Sequence, residues 1–130
     1  MVQVPQQLTT DNIASMAELA RANGIAVILS SVSPVGNSGP FKTRFPQATG
    51  QIRILNRWIR TYAARSCYSY VDYFSGMADP DGSLNTDLSH DGLHPAGPGY
   101  QVMAKLAQSA IDQLNQTNPL RTCEPSRVWR

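Results

Sequence analysis

The sequence is short of charge, cysteine and long apolar runs, and each shortage closes off a class of protein. Charged side chains make up 15% of its 130 residues, against about 25% in ordinary soluble domains. Hydrophobic residues reach 42%, whereas disorder needs low hydrophobicity and high net charge. Eleven Lys and Arg against nine Asp and Glu leave a formal +2. The basic residues are scattered in sequence rather than gathered into a nucleic-acid footprint, so no nucleic-acid partner is expected. The longest apolar run, Ile25-Ala26-Val27-Ile28-Leu29, has the length of a buried strand. It falls far short of the roughly 20 residues that cross a bilayer, so no membrane span is expected. Met1 to Gln7 shows neither a basic n-region nor an apolar h-region. No signal peptide is read there, and the chain as it stands is expected in the cytoplasm. Cys67 and Cys123 form neither a disulfide framework nor a metal motif. Two free thiols are expected, although pairing depends on a geometry that sequence does not supply.

What is present suffices for one domain with a sizeable core. Thr9-Thr10-Asp11 reads as the cap of an amphipathic helix running to Asn23, with Ile13, Met16, Ala17 and Ala20 on one face. Gly24 is its expected left-handed stop. Ile25 to Val32 is continuous and β-branched, the pattern of a strand covered on both faces. Ser33 to Pro40 is a turn-rich loop, and Ile52, Leu55, Ile59 and Tyr62 restore helical spacing within about Thr49–Arg65. Trp58 and Tyr62, four apart, read as helix-face packing. Tyr68 to Tyr73 is a second strand, and Asp79 and Asp81 flank Pro80 before Gly82 in a turn. A last helix spans about Gly97 to Asn115, burying Val102, Met103, Leu106, Ala110, Ile111 and Leu114. Helix, strand, helix, strand, helix implies parallel crossovers. Residues 1–116 are expected to form the domain and 117–130 an irregular tail.

The stretch that carries chemistry is Asp87-Leu-Ser-His90-Asp91-Gly92-Leu93-His94-Pro95. Asp91 and His94, three apart on a turn, allow a carboxylate to accept the imidazole Nδ1 proton. That fixes the tautomer in which Nε2 serves as general base toward a hydroxyl nucleophile. Asp87, His90, Asp91 and His94 also raise the question of a metal, but Zn needs three or four ligands held tetrahedrally. Solvated loop residues are the expectation, with no metal and no cofactor.

The run Asp79-Pro-Asp-Gly82 … Asp91-Gly-Leu-His94-Pro-Ala-Gly-Pro-Gly-Tyr100-Gln-Val-Met-Ala resembles the last conserved block of the SGNH, or GDSL-type, esterase and lipase family. Asp11 to Pro34 is similar to that family's helix and fourth strand, and Gln51 to Arg60 with Tyr70-Val-Asp-Tyr to its next helix and fifth strand. The similarity covers about Thr9 to Asn115. It implies an α/β, three-layer, flavodoxin-like fold, present here in part, with two legible parallel strands and three main helices. It also implies hydrolysis of a small ester through an acyl-enzyme. Carried over by residue, Asp91 is the orienting carboxylate and His94 the general base.

The family's nucleophilic Ser lies in a Gly-Asp-Ser motif after the first strand, and a Gly and an Asn after the next two strands donate to the oxyanion. No Gly-Asp-Ser and no Gly-x-Asn-Asp occurs here, and Asn12 and Asn37 match neither donor. The resemblance implies that the first three strands are missing and that the nucleophile is unknown. Ser30, Ser31 and Ser33 close the first strand and Ser38 follows in the loop; all are expected to be strand-end or turn residues. Cys67, before the second strand, is at the wrong end of the sheet to partner His94. A non-catalytic alternative follows: the 25–32 strand edge, lacking a neighbour, would recruit a second copy or a complementing chain.

Overall fold

One proline and one glycine bracket the first helix. In a computed structural model that describes residues 5–37 and 39–117, α1 spans Gln6–Ala22 with Pro5 as its N-cap (φ −56°, ψ 136°). Proline's fixed φ and missing N–H suit a helix start, so α1 begins before the Thr9-Thr10-Asp11 cap that the sequence suggests. Thr10 instead turns its hydroxyl back onto the Gln7 carbonyl at 2.8 Å. At the other end Gly24 takes φ +72°, with the Gly24 N–H bonded to Arg21 O (3.0 Å) and the Ile25 N–H to Ala20 O (2.9 Å). These paired bonds satisfy the last carbonyls, as expected of a left-handed glycine stop.

The sheet has two parallel strands, β1 (Ile28–Ser30) and β2 (Ser69–Val71), paired Ile28 to Ser69, Leu29 to Tyr70 and Ser30 to Val71. Both are shorter than their apolar runs because only three rungs pair, and one further bond runs from Ser31 N–H to Val71 O at 3.0 Å. Between them lie α2 (Gly39–Arg44) and α3 (Ala48–Ser66). After β2, Asp72 caps a short α4 (Tyr73–Met77) by accepting from the Ser75 N–H, so the apolar-aromatic run read as strand turns helical at Tyr73. A 3₁₀ turn at Thr86–Leu88 precedes α5 (Gly97–Gln116). The expected tail, 117–130, lies outside the described residues apart from Thr117.

Helix α3 packs against both strands and α1, whereas α5 packs against β2 and α4. Ala17, Ala63 and Tyr68 form a buried cluster with Val27, Leu29, Tyr62 and Tyr70 against it. Trp58 stacks on Tyr62 with ring centroids 5.0 Å apart, which fits the packing reading of that pair. Burial, with Tyr68 and Glu18 nearby, pushes the Tyr62 phenol up to about 12. The α1 face read as apolar divides: Ala17 is buried, but Met16 is 63% exposed. Ile111 on α5 is likewise exposed. Beyond the β2 side, β1 has no second strand partner among the described residues. An apolar groove of about 430 Å³ lies along it, lined by Ile13, Met16 and Ala20 of α1 and by residues 28–32. No described helix is long and apolar enough to cross a membrane.

Candidate active site

The Asp91–His94 loop is built from local bonds. Ser89, buried, shares its hydroxyl proton between the His94 carbonyl (2.8 Å) and Asp91 Oδ1 (3.3 Å), and accepts from the Gly92 N–H (3.0 Å). Ser89 and Pro95 form an antiparallel bridge, and the Ala96 N–H donates to Leu88 O at 2.7 Å. The loop closes because Gly92 adopts φ +74°, a conformation costly for residues with a Cβ. Asp91 Oδ1 then accepts from the N–H groups of Leu93 (2.9 Å) and His94 (2.8 Å), while Oδ2 lies 2.7 Å from His94 Nδ1.

The His94 hydrogen bond, reinforced by the two backbone N–H groups, holds the Asp91 carboxyl well below the usual carboxylate range. An ionised carboxylate is acceptor-only, so the proton belongs on Nδ1 and the neutral ring presents a lone pair at Nε2. No described group bonds Nε2, and the side chain is 74% exposed. Chemically, this pair can take a proton from a hydroxyl and return it to a leaving group.

Two distant segments hold the loop in place. The Gly36 N–H donates to Gly92 O at 2.6 Å, and a Cβ on Gly36 would lie 2.8 Å from Gly92 Cα. Leu84 N–H bonds Val35 O at 3.0 Å, and Asn37 Nδ2 donates to Asp81 Oδ2 at 3.3 Å. The start of this 33–37 segment is clamped by Asn56, whose carboxamide accepts from Val32 N–H (2.7 Å) and donates to Val32 O (2.9 Å). Gly36, Asn56 and Ser89 were not singled out by sequence. Only Ser89 carried a local signal, a small hydroxyl residue two before Asp91.

The remaining candidates separate by geometry. Ser31 is buried, and its Oγ accepts from Phe74 N–H (2.8 Å) and donates to Asp72 Oδ1 (3.3 Å). It is a structural bridge. Ser30 is exposed and Ser33 half-buried, neither bonded to the His94 ring, and Ser38 lies outside the described residues. Asp79 and Asp81 serve the turn: Asp81 Oδ1 accepts from Ser83 N–H and Oγ at 2.8 and 2.6 Å, and the Ser83 bonds hold its carboxyl low. Among the described residues no three His, Cys, Asp or Glu gather to hold a metal; Asp87 and His90 are exposed. Cys67 overturns its expectation. It is disulfide-bonded rather than a free thiol, a pairing set by tertiary geometry, and Cys123 lies outside the described residues. Cys67 also ends α3 in a left-handed conformation (φ 55°), at the N-terminal end of β2.

The GDSL-like Lipase/Acylhydrolase family profile matches residues 2–102. The chain belongs to the GDSL-like lipase/acylhydrolase family. A GDSL-like lipase from Bacteroides thetaiotaomicron is 39% identical with a TM-score of 0.76, covering 83% of this chain and 53% of its own. A Bacteroides fragilis protein bearing the acylhydrolase name is 35% identical with a TM-score of 0.80, covering 92% and 55%. This GDSL-like chain therefore spans about half the length of either structure. The esterase domain of a zebrafish retrotransposon ORF1 protein shares the fold alone, at 20% identity and a TM-score of 0.61 over 88% of this chain and 61% of its own. No curated protein matches. The α/β fold with two parallel strands agrees with what the family resemblance implied.

Proposed function

We propose that this chain supplies the carboxylate–imidazole half of a serine-type site for hydrolysing small carboxylic or acyl esters. Asp91 orients His94, and His94 Nε2 acts as general base and then general acid. The observation that carries this reading is the 2.7 Å contact between Asp91 Oδ2 and His94 Nδ1 on an exposed ring whose Nε2 no described group bonds. In the reaction, Nε2 takes the proton of a hydroxyl nucleophile as it attacks the ester carbonyl, and the imidazolium then protonates the departing alkoxide. Water repeats the sequence to release the acid. The nucleophile is not identified in this chain, because no Gly-Asp-Ser occurs and no described Ser hydroxyl bonds the ring. Each missing oxyanion donor forfeits about 10²–10³ in rate, so the chain by itself is expected to be inactive.

A chimera tests the assignment: the part of the 39%-identical relative that matches this chain is replaced by this sequence. Hydrolysis of a short p-nitrophenyl ester is expected, with His94→Ala lowering kcat about 10²–10⁴-fold. A folded chimera that is inactive, or active and indifferent to His94→Ala, refutes the role.

A second reading rests on a different observation: among the described residues β1 has no strand partner on the side of its apolar groove. Backbone groups of Ile28–Ser30 that face away from β2 have no strand partner among the described residues, and beside exposed Met16 they favour association with a second copy or a complementing chain. Sedimentation at micromolar concentration is expected to show a dimer; a monomer that also gains no mass with a Gly-Asp-Ser-bearing partner counts against it.

A further inference from the structure

Helix α3 carries Arg53, Arg57, Arg60 and Arg65 and no acidic residue. The first three are spaced by four and three, which puts them on one face. They border a cavity of about 240 Å³ between α3 and the β2–α4 turn, together with Asp72 and the rings of Tyr70 and Phe74. Two guanidiniums are already fixed. Arg60 Nη2 pairs with Asp72 Oδ2 at 2.6 Å and sits 5.5 Å over Tyr70. Arg53 Nη2 donates to Asp81 O at 3.0 Å and sits 5.9 Å from Phe74.

Arg57 has no hydrogen-bond or ion-pair partner among the described residues. Asp72 does not neutralise it, because that carboxylate already accepts from Arg60, Ser31, the Ser75 N–H and the Ser75 hydroxyl. Asn56, between them in sequence, has both polar atoms committed to Val32. Three guanidiniums and one saturated carboxylate border this open cavity, a local excess of two positive charges. Like charges on adjacent turns of a helix repel, and a bound anion relieves that repulsion.

We propose that this cavity is a binding site for a phosphate-class dianion, with Arg57 as its principal ligand. Arg53 and Arg60 contribute the N–H donors that their protein partners leave unused, since each guanidinium has five. A planar carboxylate is satisfied by one guanidinium fork, whereas donors arriving from three turns of a helix suit tetrahedral oxygens. The site is separate from the Asp91–His94 pair and stands independently of the ester reading.

The test titrates inorganic phosphate into the full chain at constant ionic strength and follows the arginine Nε–H resonances. Saturable shifts at Arg53, Arg57 and Arg60 in the millimolar range are expected. Arg57→Gln, at an exposed position, is expected to weaken binding tenfold or more with unchanged circular dichroism, and Lys105→Gln on α5 to leave it unchanged. Non-saturable shifts, an equal response to chloride, or full binding by Arg57→Gln overturns the site. Malonate binding as tightly as phosphate overturns the phosphate class.

Discussion

Replacing Gly36 with Ala probes the contact that seats the His94 loop. The added Cβ would lie 2.8 Å from Gly92 Cα and 3.1 Å from Gly92 O, where carbon–carbon contacts prefer about 3.5–4.0 Å. The two backbones must part by roughly 0.7–1.2 Å, which takes the 2.6 Å Gly36 N–H to Gly92 O bond beyond good hydrogen-bond length. Overpacking of this kind costs about 1–3 kcal/mol, so about 2 kcal/mol is expected for the loop and its bond together. At about 2.1 cal/mol/K of unfolding entropy per residue, that lowers Tm by roughly 7 °C. The strain sits at this loop, so the amides of Leu93 and His94, which donate to Asp91, should also exchange faster by local opening, whereas α3 core amides that open only on global unfolding lose no more than the roughly 2 kcal/mol seen in Tm. Thermal unfolding and amide exchange are the assays. An unchanged Tm with unchanged Leu93 and His94 protection refutes the view that the 33–37 segment holds this loop.

Other substitutions read other parts of the structure. Asp91 has a lowered carboxyl pKa in the fold, so its contribution is present above the unfolded value of 3.8 and is lost as pH falls below it. Asp91→Asn should therefore flatten the acid side of the stability profile, seen as a smaller drop in urea midpoint between about pH 5 and 2; a parallel profile contradicts this. Asn56→Ala leaves both polar groups of Val32 without their partner. Because Val32 is 38% exposed and water replaces part of the loss, about 1 kcal/mol is expected by urea unfolding; no change would mean the clamp is incidental. Tyr62, pushed up to about 12, favours the neutral phenol. Its contribution is full below its unfolded value of 10.0 and lost as pH rises toward 12. Burial also raises the Tyr70 phenol, so ultraviolet titration should show late ionisation that Tyr62→Phe reduces by one tyrosine.

Several features were legible because they depend on neighbours in sequence. Apolar spacing placed the three long helices, and Gly24 marked a stop because a left-handed turn follows from one residue's missing Cβ. Asp91 and His94 were legible as a pair because three residues on a tight turn bring a carboxylate to an imidazole whatever the rest of the chain does. The extent of the strands was less legible. Ile25 to Val32 has strand character throughout, yet only Ile28–Ser30 pairs with β2, since strand length is decided by the partner as well as the strand. Asp72 looked like a strand residue and is a helix cap, because the Ser75 N–H that it accepts comes from the turn that follows.

The sequence by itself determined the three long helices, the family and the Asp91–His94 pair, all set by local periodicity or short motifs. Tertiary structure decided the rest. Ser31 is withdrawn from chemistry by Asp72 and Phe74, 41 and 43 residues away, and Val32 is clamped by Asn56 across 24. Gly36 meets Gly92 only because two loops at one end of the sheet converge. Cys67 is bonded rather than free. Each outcome depends on which segments meet after the chain has crossed the sheet, and residue patterns within a segment carry no record of that meeting.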